Sequence, residues 1–159
     1  MLGSLRIASD LIAAMRAHGE ETFPDECCGA LLRDAEGSLS LRRWTNIQNQ
    51  LHREDPAKHP RDARTAYYID PQELLAVARE EAEAGVAIAA LYHSHPDHAA
   101  YFSAEDRARA VIEDWDEPIY PDAAYIVLSV MGGKAGDIKA FVWDDDTREF
   151  IERKVEADQ

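Results

Sequence analysis

The chain is poor in cysteine and in positive charge, and it has no long apolar run. Its only two cysteines are neighbours, Cys27 and Cys28. Two cysteines cannot build a disulfide framework, and adjacent ones seldom bond to each other without strain. Buried free thiols are the expected state. Lys and Arg number 17 against 31 Asp and Glu, a formal net charge of −14. Such a surface repels phosphate backbones, so no nucleic-acid partner is expected. The acid excess fits either a salt-adapted host or a basic partner surface. No stretch approaches the roughly 20 apolar residues of a membrane span. The opening MLGSLRIASD lacks the apolar segment of a secretory signal. A soluble cytoplasmic protein with no membrane partner is expected. There is no internal repeat, no low-complexity linker, and no histidine after His98.

What remains is an ordinary globular balance, 46% hydrophobic and 30% charged over 159 residues. That suits one domain spanning 1–159 with a full core. Ser9 reads as an N-cap, followed by a helix with Leu11, Ile12 and Met15 on one face that stops near Gly19. Gly29 to Leu32 is a short apolar strand, Asp34 to Gly37 a turn, and Ser38 to Trp44 the returning strand. From Thr45 to Arg64 the chain is polar and without period. A loop of that length in a compact domain is usually mobile or functional. Tyr67 to Ile69 suggests a strand. Asp70-Pro71-Gln72-Glu73 supplies a cap, a proline at the first helical position and a capping-box glutamate. Gly85 is placed to end that helix. Val86 to Tyr92 is a nearly continuous apolar run that suits a buried central strand. Ser103 opens a helix through about Glu113. Strands are expected at Ala123 to Val130, Ile138 to Trp143 and Glu149 to Val155. Helices alternate with strands early and strands cluster late. This predicts an α/β (mixed α+β) domain with a central mixed sheet flanked by helices.

The chemistry concentrates in HSHPDHAAYFSAED, His93 to Asp106. If the strand continues into this motif, His93 and His95 point to one side of it and Ser94 to the other. Pro96 ends the pairing. The next six residues let the chain turn back, and Ser103 caps a helix that places Asp106 near the same mouth. Two imidazoles, one carboxylate and an open fourth position suit a catalytic zinc. Piece by piece a plainer reading also holds: Ser103 to Asp106 resembles a capping box with Asp106 in place of glutamate. The letters His93-Ser94-His95-Pro96-Asp97-His98 also match the H-x-H-x-D-H of metallo-β-lactamase-like hydrolases. Those need further downstream histidines, which this chain lacks.

The pattern H-S-H-P-x6-S-x2-D resembles the JAMM (MPN-plus, or JAB) metalloprotease family. The likeness extends upstream to Pro24-Asp25-Glu26-Cys27-Cys28-Gly29-Ala30-Leu31-Leu32 and covers roughly Ser9 to Trp143. It implies a cytidine-deaminase-like JAB/MPN fold. Carried over residue by residue, it implies one zinc ion on His93, His95 and Asp106. Glu26 would hold the attacking water and serve as general base and then general acid. Ser103 would stabilise the tetrahedral intermediate. The family cleaves peptide or isopeptide bonds at the C-terminus of ubiquitin-like proteins. Short bacterial members with this C-C-G segment resemble those that process sulfur-carrier proteins. A ubiquitin-like or sulfur-carrier protein is therefore the expected partner. Thr45 to Arg64 and Asp114 to Asp122 are expected to shape its groove. The alternative is a non-catalytic scaffold of the same fold.

Overall fold

A computed structural model describes residues 4–158. Strand β1 (Leu5–Ala8) leads into helix α1 (Ser9–Thr22). Then follow β2 (Cys28–Arg33), β3 (Leu39–Trp44), α2 (Gln48–Glu54), α3 (Pro71–Ala84) and β4 (Ala87–Pro96). Helix α4 (Ala104–Ala110), the short strands β5 (Val111–Ile112) and β6 (Glu117–Pro118), and β7 (Ala124–Met131), β8 (Lys134–Asp144) and β9 (Glu149–Asp158) complete the chain. Seven strands form one mixed sheet in the order β1-β9-β8-β7-β4-β2-β3, and β5 pairs with β6 as a separate hairpin. Two pairs are parallel, β4 with β7 and β1 with β9. A parallel neighbour requires a crossover. Between β4 and β7 that crossover carries α4 and the β5–β6 hairpin.

Side chains alternate across the sheet as the pleat requires. Ala90, Tyr92, Ile126 and Leu128 pack with Ile12 and Met15 of α1 on one face. Leu91, Tyr125, Val127, Ala30 and Leu32 pack with Val77 of α3 on the other. Val77 is 1% exposed, and full burial of such a side chain contributes about 1.5–3 kcal/mol. The paired bonds from Arg42 on β3 to Glu80, both 2.8 Å, hold the outer flank of α3.

Several local expectations need correction. Helix α1 begins at Ser9 itself, with Ala8 at the cap position and no side-chain cap bond. It runs through Gly19 to Thr22 because Gly19 serves packing: a Cβ there would lie 3.1 Å from Val130 and 3.6 Å from Ser94. Asp70 caps α3 by accepting from the Gln72 N–H at 2.9 Å, and Gly85 closes it with φ of 68°. The Glu73 carboxylate, however, accepts from the Thr45 N–H at 2.7 Å, tying the end of β3 to α3 instead of completing a capping box. Tyr67 to Ile69 is no strand beyond a single bridge from Ile69 to Asn46. The polar stretch after Thr45 contains α2. Helix α4 stops at Ala110 because the chain turns into the β5–β6 hairpin.

Candidate metal centre

Strand β4 continues through the motif to Pro96, paired with β2 as far as His93 and with β7 along to Pro96. His93 and His95 therefore share the α3 face of the sheet. Ser94 points to the opposite face, where its hydroxyl accepts from the Cys27 N–H at 2.8 Å. The antiparallel register pairs Cys28 with His93. Continued outward, that register sets Glu26 opposite His95 and on the same face. Asp106 arrives from the crossover. Its position in the first turn of α4 is fixed by a reciprocal capping box. The Ser103 hydroxyl accepts from the Asp106 N–H, and the Asp106 carboxylate accepts from the Ser103 N–H, each at 3.0 Å. The capping box and the ligand position are thus one feature.

The three candidate ligands converge. His93 Nε2 lies 3.0 Å from one Asp106 oxygen and His95 Nε2 lies 3.1 Å from the other. The two Nε2 atoms are 3.2 Å apart. All three residues are buried, and among the described residues they form the one His/Cys/Asp/Glu group placed to hold a metal ion. His95 Nδ1 lies 3.0 Å from the Ala99 carbonyl. Its N–H must donate there, which leaves Nε2 with a free lone pair for a cation. Tyr67 stacks on His93 at 4.6 Å between centroids, and Tyr101 meets His95 edge-on at 5.1 Å. Both imidazoles are held by packing as well as by hydrogen bonds.

Electrostatics sort the two carboxyls. Burial alone would raise the Asp106 pKa. The charge and hydrogen bonds of His93 and His95, with the Ser103 N–H, outweigh burial and hold it well below the usual carboxylate range. Asp106 is thus built to stay ionised against positive charge. Glu26 behaves oppositely: burial first, and the neighbouring Asp106 charge second, push its carboxyl up to about 9. Glu26 is only 4% exposed, and its Oε1 has no protein partner. An orphaned buried oxygen beside a convergent ligand set fits a site that takes a dication and water. Burial also raises the Cys27 thiol to about 11 and pushes Cys28 higher still. Both cysteines are buried and free, and Cys28 packs in the core cluster that holds Tyr67. They serve as packing.

Glu26, His95, Ser103 and Asp106 open together onto a cavity of about 290 Å³, also lined by Arg61, Arg64, Thr65, His98 and Tyr101. The segment before residue 66 does reach the site. Residues Ile119 and Tyr120 instead line a neighbouring apolar cavity with Tyr67, Tyr68 and Leu74. Sequence reasoning passed over Asn46, which holds the local framework together. Its amide nitrogen donates to the carbonyls of Glu26 (2.9 Å) and Ala66 (3.2 Å). Its oxygen accepts from the N–H groups of Gln48 and Tyr68, both at 3.0 Å. The only available signal was an excess of amide side chains in an aperiodic stretch.

The sheet, the helices on its two faces and the buried His-His-Asp group at a strand end define an α/β domain whose convergent side chains could hold a metal ion. The chain belongs to the prokaryotic JAB-domain family: it matches the family described as prokaryotic homologs of the JAB domain over residues 8–144. It is 30% identical over 137 residues to a CysO-cysteine peptidase of Mycobacterium tuberculosis, covering 86% of this chain and 81% of the relative. It is 29% identical over 160 residues to a desampylase of Haloferax volcanii, covering 95% and 94%. A Desulfitobacterium hafniense protein solved in solution shares the fold, with a TM-score of 0.66, 21% identity, and coverage of 98% and 93%. A Salinibacter ruber protein superposes with a TM-score of 0.59 at 26% identity, with coverage of 98% and 92%. No helix among the described residues is long and apolar enough to cross a membrane.

Proposed function

We propose that residues 1–159 form a single-domain zinc metallopeptidase that hydrolyses a peptide or isopeptide bond at the C-terminus of a ubiquitin-like or sulfur-carrier protein. The observation that carries this reading is the orphaned Glu26 carboxylate sharing one cavity with His95, Ser103 and Asp106. A scaffold module has no need of a buried carboxyl held at a cost in stability. Relatives named as a CysO-cysteine peptidase and a desampylase support the substrate class.

His93, His95 and Asp106 hold the ion. When bound, zinc polarises the scissile carbonyl and brings the pKa of a water down to about 7. Positive charge at the three ligands also lowers the Glu26 pKa, opposing its burial and freeing the carboxylate to act as base. Glu26 takes the proton from the attacking water and returns it to the departing amine. Ser103 Oγ already accepts from the Asp106 N–H. Its own O–H is therefore left to donate toward the oxyanion on the carbonyl.

The reading is tested by incubating the zinc-loaded protein with ubiquitin-fold proteins that carry C-terminal extensions, read by intact mass. Loss of the extension with the wild type, absent in His95→Ala and in chelator, is the expected result. No cleavage of any such substrate by zinc-loaded protein would refute it.

A further inference from the structure

The segment before residue 66 brings two cations to an otherwise acidic molecule. Arg61 and Arg64 line the cavity that holds Glu26, His95 and Asp106. They do not hang from a free loop. The Glu26 N–H donates to the Ala63 carbonyl at 2.7 Å. The Ala63 N–H donates to Asn49 Oδ1 at 2.8 Å, and the same Asn49 donates to Asp25 at 3.1 Å. The side chain of Gln48, 2% exposed, donates to the Arg61 carbonyl at 2.9 Å. The two arginines therefore ride on the platform that positions Glu26.

The charges around the cavity are nearly all spent. Asp106 faces His93 and His95. Glu105 pairs with Arg109 at 3.5 Å. Arg64 is gripped by Asp62 through contacts of 2.8 to 3.3 Å. Arg61 is the exception. Among the described residues its guanidinium makes one long bond, to the Thr65 carbonyl at 3.5 Å. A guanidinium is a planar fork of donors that matches a carboxylate in bidentate fashion. In a chain of net charge −14, Arg61 makes no salt bridge among the described residues, and the carboxyl its charge reaches is the buried Glu26 of the same cavity. Such a cation at the mouth of the cavity is a local reversal of sign that favours an anionic ligand.

Its side of the cavity says which anion. Glu26, in returning its proton, must face the departing nitrogen, and Arg61 belongs to the Glu26 platform. When the leaving group is a single amino acid, its α-carboxylate sits one carbon from that nitrogen. A longer peptide presents a neutral amide there, and the ε-amine of a lysine presents only methylenes. We propose that Arg61 is the residue that receives the free α-carboxylate when the leaving group is a single C-terminal residue. Arg64, held by Asp62, adds positive charge beside it. This rests on the metallopeptidase reading above and adds to it a side chain that selects for a free C-terminus.

The test uses a ubiquitin-fold carrier ending in Gly-Gly plus one alanine, prepared as the free acid and as the primary amide, with the full zinc-loaded protein. The wild type should cleave the acid about ten- to a hundredfold more efficiently, the range of a charge-assisted bidentate contact. Arg61→Met should collapse that acid-to-amide ratio toward one. Because the Arg61 carbonyl, not its side chain, is the acceptor for Gln48, the substitution keeps that bond and removes only the long one to the Thr65 carbonyl. Binding of the same two probes to Glu26→Gln, by calorimetry, should show the same preference without turnover. Equal cleavage of acid and amide by the wild type would overturn the assignment. So would a loss in Arg61→Met that falls equally on both. If zinc is bound and neither probe is cleaved, the carboxylate seat is overturned, while the metallopeptidase reading falls only if the wider panel of ubiquitin-fold substrates is also left uncleaved.

Discussion

Glu26→Gln should stabilise the metal-free protein, and increasingly so as pH rises above about 4.5. The folded state holds the Glu26 carboxyl at about 9 against an ordinary value of 4.5, chiefly through burial and then through the Asp106 charge. A raised carboxyl pKa means the unfolded chain gives up its proton between pH 4.5 and 9 while the folded protein keeps it. Stability therefore falls as pH rises through that window. At pH 8 the gap of about 3.5 pH units corresponds to at most about 5 kcal/mol. Water reaching the open cavity softens the penalty, and about 2–3 kcal/mol is expected. Glutamine carries no charge, so the variant should match the wild type at pH 4.5 and exceed it progressively toward pH 8. The assay is urea unfolding in chelator across that range, comparing the two proteins at each pH. His18, whose pKa burial and the nearby Arg43 charge hold down to about 4, titrates alike in both and cancels. A difference that does not change with pH would refute the reasoning. In the zinc-loaded protein the advantage should shrink, because a dication favours the glutamate form.

Gly29→Ala should cost about 1–3 kcal/mol in unfolding free energy, because a Cβ there would collide with the ring of the buried Tyr92. Tyr92 has no easy retreat, its hydroxyl being bonded to His18 Nδ1 at 2.7 Å. Ser103→Ala should lose about 1 kcal/mol of stability with the cap and about ten- to a hundredfold in kcat with the hydroxyl. Ser103→Asn should restore the stability and not the turnover, which separates the two roles. Asn46→Ala should cost about 2–3 kcal/mol by leaving buried backbone groups unpaired. It should also lower kcat while zinc content, measured by mass spectrometry, stays at the wild-type level.

Much of this site was legible because its geometry is local. The apolar run into His93 gives the strand, the period of two puts His93 and His95 on one face, and Ser103 to Asp106 is a cap whatever else it does. Glu26 was readable only through family resemblance, because its place depends on the pairing of β2 with β4, a contact between residues far apart in sequence. The same limit hid β1: four residues, LRIA, become a strand only by lying parallel to β9 at the far end of the chain. Helix α2, QNQLHRE, offers one apolar residue and no stripe, so no period betrays it. It is held by Gln48, Asn49 and the neighbouring Asn46 through side-chain bonds to backbone groups. Gly19 misled for a physical reason. Glycine usually ends a helix, but here it lets the helix approach Val130 and Ser94.

The measurement that bears most directly on the central claim is zinc titration of the chelator-stripped protein by calorimetry, for the wild type, His95→Ala and Glu26→Gln. The wild type and Glu26→Gln should each bind one equivalent tightly, and His95→Ala should bind none with comparable affinity. Absence of tight binding in the wild type, or binding in His95→Ala equal to it, would contradict a metal centre at His93, His95 and Asp106.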